Sequence, residues 1–399
     1  MSSGFEEFTQ AISKTTTKKP VNDKKSFSKV AVLGGGADGK LIAALSLSKG
    51  AEVKLFSAYG DELSALRSSS GITLRGLGPI GTYHVDRDEG PSIKTSAELD
   101  NVVKDAEVIF LTGPVHKQRT YAMVLADHLK DGQVLVVAPG RSLGAIETAW
   151  LLRIGGCTAD ITIVEVQGLP YWYNEAGSIL TLSNAAQMPA ATLPSNRSSV
   201  LNALKVYFHN LDGYDSVLTS GFLDGSAMIE IPTLIMGGPA FGSNAVSIPM
   251  GGKPLEENRT FASMIGPAQK NIISALNSER KMVAKAYGVR DLPSDDEMIE
   301  IYGGSLRGDY SRTIPLQKQA KSLLRCGVIG SLVPLTSAAK IAKLEVPMTT
   351  SLINLASNIL GADISAAGRR LEAIGINADN IDTARRAMDE IATGGRNGR

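Results

Sequence analysis

Residues 30–39 read Val-Ala-Val-Leu-Gly-Gly-Gly-Ala-Asp-Gly, a short β-branched run that ends at three glycines. The apolar residues within 41–47 have helical spacing, so the sequence predicts a strand, a tight turn and a helix. The turn fits G-x-G-x-x-G, a pattern in which backbone N–H groups at the start of the helix hold the pyrophosphate of a dinucleotide. The predicted cofactor-binding residues of this turn are Gly34, Gly35, Gly36, Ala37, Asp38 and Gly39.

Four further apolar runs of strand length follow in the first half of the chain, at 53–56, 108–111, 133–137 and 160–164. Helical segments separate these runs. The alternation predicts an α/β domain with a Rossmann-type, doubly wound parallel sheet, because parallel strands buried on both faces are continuously apolar.

From about residue 196 the hydrophobic pattern of the sequence changes. Apolar residues now recur at three- and four-residue spacing, which predicts a mainly α-helical domain. The longest such stretches are 200–208, 267–287, 318–333, 351–360 and 381–391. We therefore expect three parts: a flexible tail (1–27), a dinucleotide-binding domain (28–195) and a helical domain for substrate binding and dimerisation (196–399).

Composition narrows the range of partners. The chain has 399 residues, with 41 Lys and Arg against 40 Asp and Glu, and a formal net charge of +1. Such a balance attracts neither nucleic acid nor an anionic membrane surface, so a small-molecule ligand is favoured. No apolar run approaches the roughly 20 residues of a membrane span. The two cysteines, Cys157 and Cys326, are too few for a disulfide framework or a zinc site, and a cytoplasmic location is expected.

The choice of cofactor depends on the end of the second predicted strand, where NAD-dependent enzymes commonly place an acidic residue for the ribose 2′-hydroxyl. Here the sequence is Phe-Ser-Ala-Tyr at 56–59, and the nearest acids, Asp61 and Glu62, belong to the next predicted helix. Ser57 could bond a 2′-phosphate and Arg67 could reach it. The sequence therefore favours NADP, with NAD as the alternative.

Several segments, in this order and spacing, resemble the octopine/nopaline dehydrogenase family, the opine dehydrogenases, over about residues 28–375. They are the glycine turn, 110–116 (Phe-Leu-Thr-Gly-Pro-Val-His), 137–140 (Val-Ala-Pro-Gly), 165–171 (Glu-Val-Gln-Gly-Leu-Pro-Tyr) and 278–289 (Ser-Glu-Arg-Lys-Met-Val-Ala-Lys-Ala-Tyr-Gly-Val). Such enzymes use NAD(P)H to reduce the imine formed between an amino acid and an α-keto acid.

The resemblance implies a helical second domain like the C-terminal domain of 6-phosphogluconate dehydrogenase, and a substrate like an amino acid or a keto acid. It also implies which residues line the nicotinamide side of the cofactor, namely Thr112, Gly113, Pro114, Pro139 and Gly140.

Three positions depart from the family pattern at the substrate site. Glu230 stands where the family places a catalytic histidine, and Cys326 with Gly327 replaces the acidic pair that orients it. Asn174 stands near the place of an arginine after the Leu-Pro-Tyr turn, and an amide does not pair with a carboxylate as arginine does. The resemblance therefore supports the fold and the cofactor more strongly than it supports the ordinary opine reaction.

Two residues are candidates for proton transfer. Glu230 lies between Ile229 and Ile231, so a cleft position would desolvate its carboxyl group and raise its pKa towards neutrality. The alternative is a structural ion pair with an arginine of the helical domain, which would remove Glu230 from proton transfer. His116, in the segment after the strand at 108–111, is the second candidate for the proton donor.

Three arginines are candidates for binding a substrate carboxylate. Arg307 and Arg312 belong to the glycine-rich stretch 303–312, which predicts a loop rather than a regular helix, and Arg325 lies in the helix that follows. Asn174 is the fourth predicted substrate-binding residue.

The leading functional hypothesis is hydride transfer from NAD(P)H to an imine or keto group beside a carboxylate, in a protein that forms a homodimer. A second hypothesis is a ketopantoate-reductase-like dehydrogenase with a glutamate or lysine site, for which Lys270 and Glu279 are candidates. A third is a regulatory protein that binds a dinucleotide without catalysis, because the family's His–Asp dyad is missing.

Overall fold

The computed structural model describes residues 26–69, 71–184, 187–236, 260–306 and 311–392. The predicted tail therefore lies outside the described residues up to residue 25, as does Arg307. Phe27, at the end of the predicted tail, is buried, and its carbonyl accepts a hydrogen bond from the Tyr207 hydroxyl.

A large sheet of eight strands forms the core of the first half, as the sequence predicted. Its strand order is β12-β11-β8-β7-β6-β1-β2-β5, and every neighbouring pair is parallel except β8 and β11. The strands are β1 (Lys29–Leu33), β2 (Glu52–Phe56), β5 (Lys94–Ser96), β6 (Val108–Leu111), β7 (Val134–Val137), β8 (Thr162–Val166), β11 (Met188–Leu193) and β12 (Leu211–Gly213).

The chain leaves β1 towards β2 on one side and later returns to β6 on the other. The strand order therefore reverses at β1, and the carboxyl ends of β1 and β6 border a crevice of the kind that binds ligands in open α/β sheets. Because β12 still pairs with β11, the large sheet extends to Gly213, beyond the predicted domain boundary at residue 195.

A second, smaller sheet was not predicted from the sequence. It has the order β4-β3-β10-β9, with β3 (Gly71–Gly76), β4 (Gly81–His84), β9 (Tyr171–Ala176) and β10 (Ile179–Asn184). These strands mix Gly, Thr, Tyr and Asn with few aliphatic residues, so they lack the apolar runs that mark the large sheet. The small sheet matters for function because β9 forms one wall of the cleft described below.

Helices cover the large sheet and build the second half. They are α1 (Ala37–Ser48), α2 (Gly60–Ser68), α3 (Leu99–Val103), α4 (Val115–Leu125), α5 (Gly144–Ile154), α6 (Val200–Leu204), α7 (Val217–Leu223), α8 (Ser226–Met236), α9 (Pro267–Ala286), α10 (Asp295–Met298), α11 (Gln317–Gly327), α12 (Val333–Ile341), α13 (Pro347–Leu360) and α14 (Ile381–Ala392). Short 3-10 helices occur at Ser195–Arg197, Phe261–Met264 and Glu372–Ile374, and π-helical turns at Ile299–Gly303 and Val328–Leu332. The predicted combination of a Rossmann-type domain and a mainly helical domain is confirmed.

One helical run is longer than the sequence pattern indicated. Helices α11 and α12 are joined by the π-helical turn between them into a continuous run, Gln317–Ile341, of 25 residues. By length and composition alone this run could cross a membrane, but 67% of its most apolar window is buried inside the protein. A core helix of a soluble protein has the same properties, so this run is weak evidence for a membrane span.

Candidate active site

A cleft of about 200 Å³ lies at the carboxyl ends of the parallel strands, between the glycine turn, β9 and the helical half. Loops after β6, β7 and β8 form its floor, and helices α8 and α11 form the opposite wall. The polar and aromatic residues that line it include Asp38, Arg141, Gln167, Tyr171, Trp172, Tyr173, Asn174, Asp224, Ser226, Glu230, Tyr302, Arg312, Gln319 and Cys326.

The glycine turn has the geometry of a phosphate cradle. A Cβ at Gly39 would lie 1.8 Å from the Gly34 carbonyl oxygen, so only glycine lets α1 pack this closely on β1. A Cβ at Gly36 would meet nothing within 4 Å, and no side chain caps the N-terminus of α1 there. The free N–H groups and the open space in front of them fit a pyrophosphate.

An acidic side chain, that of Glu62, lies beside the end of β2, although the sequence predicted that the nearest acidic residues were too far along the chain to reach this point. Glu62, on α2, accepts hydrogen bonds from the Gly35 N–H (3.0 Å) and the Ser57 hydroxyl (2.6 Å), and it pairs with Lys117 (2.5 Å). Burial tends to raise the pKa of Glu62, but these donors outweigh it and lower the pKa overall. Ser57 is fully buried and already bonded.

Arg67 is also engaged. Its guanidinium bonds Asp86 (3.2 Å) and the Thr95 hydroxyl (2.9 Å). Ser57 and Arg67 thus both have protein partners, and their binding of a 2′-phosphate stays a prediction.

The residues implied for the nicotinamide side divide into two groups. Gly113, Pro114 and Pro139 line the cleft. Thr112 is buried, and its hydroxyl donates to the Leu33 carbonyl (2.9 Å), which ties the loop after β6 to β1. Gly140 contacts the Glu165 side chain, where a Cβ would lie 2.5 Å from Cγ. Thr112 and Gly140 thus shape the floor from beneath it.

Asp38 projects from the first turn of α1 into the cleft. It accepts a hydrogen bond from the Tyr173 hydroxyl (2.5 Å) and one from the backbone N–H of Gly113. Burial raises the pKa of Asp38, and these bonds offset only part of the shift. Burial, together with the charge of Asp38, raises the pKa of Tyr173 well above its ordinary value, so the phenol stays protonated and donates.

Glu230 lies in the cleft as predicted, but its surroundings differ from the prediction. Its Oε1 accepts a hydrogen bond from Arg312 Nη2 (2.6 Å), and its Oε2 lies 3.6 Å from Arg141 Nη2. The flanking isoleucines point into the core, while the carboxylate faces two guanidinium groups. The apolar environment assumed for Glu230 is therefore corrected, and the structure has the alternative arrangement, an ion pair with an arginine of the helical half.

Arg312 is committed to this ion pair. It also donates to the Tyr302 carbonyl and stacks over the rings of Phe261 (4.1 Å) and Trp172 (5.2 Å). With these partners Arg312 holds Glu230 in place, and direct binding of a substrate carboxylate by Arg312, which also lines the cleft, stays a prediction.

Arg141 was not singled out from the sequence, although it directly follows the Pro-Gly pair of one of the quoted segments. It is 7% exposed, donates to Ser226, and lies 3.9 Å from Asp224. Burial lowers its pKa, but Glu230 and Asp224 outweigh this and raise the pKa overall, so Arg141 is charged. Its φ of 58° is unusual for a residue other than glycine, and such strain is concentrated at functional sites.

Two buried polar atoms of this cluster, Arg141 Nε and Glu230 Oε2, have no hydrogen-bond partner among the residues that the structure describes. Buried donors and acceptors are nearly always paired, and leaving one unpaired costs about 1–3 kcal/mol. A donor and an acceptor left open side by side in a cleft are typical of a ligand site.

The remaining candidates lie elsewhere. Val115 faces the cleft, but the next residue of the same helical turn, His116, points away and is exposed. The pKa of His116 is lowered, first by the partial burial of its ring and then by the positive charges of Lys117, Arg325 and Arg119. Arg325 is exposed and does not line the cleft, whereas Asn174 on β9 does. The predictions of a catalytic His116 and a carboxylate-binding Arg325 are therefore not supported by their positions, and Arg307 lies outside the described residues.

The residues considered for a ketopantoate-reductase-like site do not line the cleft. Lys270 is exposed on α9. Glu279 accepts hydrogen bonds from the backbone N–H groups of Met348 (2.8 Å) and Thr349 (2.9 Å), so it caps the start of α13.

Below the floor, Glu165 at the end of β8 is fully buried. Its carboxyl group accepts hydrogen bonds from the Ala145 N–H (2.9 Å), the Gln167 amide (2.8 Å) and the Ser220 hydroxyl (2.9 Å). Burial raises its pKa to about 7. The Gln167 amide also donates to the Arg141 carbonyl (2.8 Å), so this carboxyl group helps to position Arg141.

Comparison with known proteins gives related sequences of known name. The chain is 25% identical to an opine dehydrogenase of Arthrobacter sp. (strain 1C), over 90% of this chain and 98% of the relative. It is 22% identical to the protein ocs of Agrobacterium tumefaciens (strain Ach5), over 91% and 99%. No family model matches the chain.

Solved structures share the fold at lower identity. Octopine dehydrogenase with NADH and L-arginine has a TM-score of 0.62 at 19% identity, covering 92% of this chain and 98% of its own. Yersinopine dehydrogenase with NADP+ has a TM-score of 0.58 at 14%, covering 93% and 99%. A ketopantoate reductase of Ralstonia eutropha JMP134 has 0.54 at 17%, covering 83% and 98%. With the curated relatives, these likenesses confirm the predicted resemblance to the opine dehydrogenases.

Proposed function

We propose that the chain is an NAD(P)H-dependent oxidoreductase of the opine dehydrogenase type, which adds a hydride to an imine or keto carbon beside a carboxylate. The observation that carries this proposal is a pair of atoms of charged groups, Arg141 Nε and Glu230 Oε2, that have no hydrogen-bond partner among the described residues and lie in a cleft next to the glycine turn. The names of the relatives support the class of enzyme.

The glycine turn fits a pyrophosphate, and this fit indicates where the cofactor binds. The free N–H groups of α1 hold the pyrophosphate, and Gly113, Pro114 and Pro139 border the nicotinamide. Bound NAD(P)H supplies a hydride, and the residues of the chain bind and orient the carbon that receives it.

Arg141 and Glu230 divide the recognition of the substrate between them. The Arg141 guanidinium binds the carboxylate, because its Nε has no hydrogen-bond partner among the described residues. The open Oε2 of Glu230 accepts the N–H of the neighbouring nitrogen. Arg312 holds the other carboxylate oxygen and so fixes the direction in which Oε2 points.

This arrangement favours an imine over a ketone. A protonated imine already carries its proton on nitrogen, so addition of a hydride to the carbon yields the amine without a further proton donor. A ketone needs a further proton for its oxygen. Glu230 then acts by stabilising the positive nitrogen, in place of the proton relay that the sequence predicted.

For the cofactor we propose a preference for NAD over NADP, in place of the preference for NADP that the sequence favoured. Glu62 lies at the turn where the adenine ribose of a dinucleotide passes, and its carboxylate accepts a 2′-hydroxyl. A 2′-phosphate would meet this negative charge and would have to take Lys117 from it. Structures with NADH and with NADP+ are both known among the related folds.

We further propose that the protein is a cytoplasmic homodimer. Symmetric dimers are the commonest assemblies of soluble enzymes. Both cysteines are free thiols, in keeping with a reducing compartment.

A substrate panel tests the reaction. Purified protein is given NADH or NADPH with pairs of an amino acid and an α-keto acid, and with each compound alone, while loss of the reduced nicotinamide is followed. We expect turnover only when amine and keto acid are both present. Equal turnover with a keto acid alone would favour the ketopantoate-reductase-like alternative, and no turnover with any pair would reject the proposal.

Gly36→Val is the matched control for this assay. A Cβ at Gly36 would lie more than 4 Å from the atoms of the described residues other than its chain neighbours, and the valine side chain would fill the open space in front of α1, so the thermal unfolding midpoint should be unchanged while nucleotide binding and turnover are lost. Binding of either nucleotide by this folded variant at wild-type affinity would remove the glycine turn from the proposal.

A further inference from the structure

The phosphate-binding turn of this chain contains a carboxylate that faces the cleft. Asp38 is the second residue of α1, and it lines the cleft together with Gly113, Pro114 and Pro139. Its carboxyl group accepts a hydrogen bond from the Gly113 N–H, so it reaches the loop that borders the nicotinamide in the proposed function. A negative group at this place has no role in holding a pyrophosphate, which is itself an anion.

The other partner of Asp38 comes from the small sheet. The Tyr173 hydroxyl donates to Asp38 Oδ1 (2.5 Å), and the Gln319 amide in turn donates to the Tyr173 carbonyl (3.3 Å). Next to this contact, Lys40 of α1 pairs with Glu175 of β9 (2.8 Å). The carboxyl group of Asp38 is therefore fixed in direction from both sides of the cleft.

We propose that the Asp38 carboxylate lies against the nicotinamide of the bound cofactor and stabilises its oxidised form over its reduced form. The physical reason is charge: the oxidised ring is a cation and the reduced ring is neutral, so a carboxylate beside the ring, shielded from water, favours the oxidised form. Asp38 would thus favour departure of the hydride. Tyr173 is a positioning residue that acts through Asp38. This inference rests on the proposed function, because it needs a nicotinamide in the cleft.

The proposal has a consequence in protons as well as in affinity. A cation beside Asp38 favours its ionised form, so binding of NAD+ should release protons at a pH where Asp38 is partly protonated, whereas binding of NADH should not. Burial raises the pKa of the neighbouring Tyr173 phenol and of the Cys326 thiol, so both stay protonated. The groups that face Asp38 are Tyr173 and Glu175 of β9, Arg141 after β7 and Cys326 of α11, and Lys40 of its own helix pairs with Glu175.

Binding constants test the proposal without any substrate. The Kd values of NAD+ and NADH are measured by titration for the wild type, Asp38→Asn and Tyr173→Phe. We expect Asp38→Asn to weaken NAD+ binding about tenfold relative to NADH, which corresponds to a rise of about 30 mV in the reduction potential of the bound couple. Tyr173→Phe should change the ratio in the same direction by a smaller factor. Calorimetry of the wild type in buffers of different ionisation enthalpy should show proton release with NAD+ alone.

The possible failures can be told apart. If the wild type binds nucleotides but Asp38→Asn changes both Kd values by the same factor, Asp38 contacts the pyrophosphate and this inference is overturned, while the proposed function stands. If Asp38→Asn does not fold, the proton release of the wild type and the Tyr173→Phe ratio decide. If the wild type binds neither nucleotide, the proposed function and this inference fail together.

Discussion

The charged wall of the cleft and its buried floor each contain a glutamate flanked by aliphatic residues, yet the two carboxyl groups have opposite surroundings. Glu230, in the wall, lies between Ile229 and Ile231 and meets two guanidinium groups. Glu165, below the floor, lies between Val164 and Val166 and accepts its hydrogen bonds from neutral groups, an N–H, an amide and a hydroxyl; the charge of Arg369 lowers its pKa, but burial outweighs this and the pKa rises to about 7.

The difference shows that sequence neighbours do not decide the charge of a buried carboxyl group. Flanking aliphatic residues indicate only that the element is buried. The charge of the carboxyl group depends on the side chains that contact it from other elements. Guanidinium groups contact Glu230, whereas the hydrogen-bond donors to Glu165 are neutral. The desolvated carboxyl group expected at Glu230 is thus present in the molecule, but at Glu165.

The largest effect is expected from removing the charge in the wall. Glu230→Gln leaves Arg141 and Arg312 buried without their shared partner, which should lower the free energy of unfolding by about 3–5 kcal/mol. Turnover should fall about 10²–10³-fold, with nucleotide affinity unchanged. Denaturant unfolding and single-turnover kinetics measure both.

A double variant sharpens this test. In Glu230→Gln/Arg312→Gln the charges are removed together, so the loss of stability should be smaller than the sum of the two single losses. Additive losses would mean that Glu230 and Arg312 are not coupled, and the contrast with Glu165 would then disappear.

A somewhat smaller effect is expected in the floor, and it depends on pH. The folded protein holds the proton of Glu165 up to about pH 7, whereas an ordinary glutamate loses it near 4.5. The contribution of Glu165 to stability is therefore complete below pH 4.5 and is lost as the pH rises through 7, a decrease of about 3 kcal/mol.

Glu165→Gln should remove this part of the pH dependence, since the amide does not titrate. Ser220→Ala is the matched control, because it removes one donor but keeps the titrating carboxyl group. Identical profiles of unfolding free energy against pH for the wild type and Glu165→Gln would show that Glu165 does not titrate in this range.

The smallest effect is expected at the third glutamate, Glu62, which pairs with Lys117 and whose pKa is lowered. Glu62→Gln frees Lys117 and removes the negative charge beside the ribose site, so NADPH should gain about tenfold in affinity relative to NADH, about 1.4 kcal/mol. Adding Lys117→Met should cancel the gain in NADPH affinity. An unchanged ratio of NADPH to NADH affinity in Glu62→Gln would show that Glu62 does not determine the choice of cofactor.

Contiguous patterns predicted most of the fold. The parallel strands are short apolar runs, and the glycine turn is one unbroken segment, so their physics is local. The small sheet was missed because β9, Tyr-Trp-Tyr-Asn-Glu-Ala, contains no run of aliphatic residues, although Tyr and Trp are common in strands. The cleft was predicted only in part: Glu230 and Asn174 do line it, but their partners come from distant segments.

Arg141 and Glu62 show why the partners were missed. Each lies a few residues from a feature that was recognised, the Pro-Gly pair in one case and the end of β2 in the other. Their contacts, however, depend on how α8 and α2 are placed in space, and no local spacing encodes that placement. A charged residue directly after a glycine at the carboxyl end of a parallel strand is the signal that could have identified Arg141.

The close approach at Gly39 has a consequence for the whole cleft. One additional carbon there would force α1 away from β1 by more than an ångström, since its Cβ would lie 1.8 Å from the Gly34 oxygen. Helix α1 carries Asp38 and Lys40, and through them it is bonded to the strand that forms the far wall. The width of the cleft therefore depends on the absence of a side-chain carbon at Gly39. A displacement of α1 by about 1 Å would be enough to lower the reaction rate about a hundredfold.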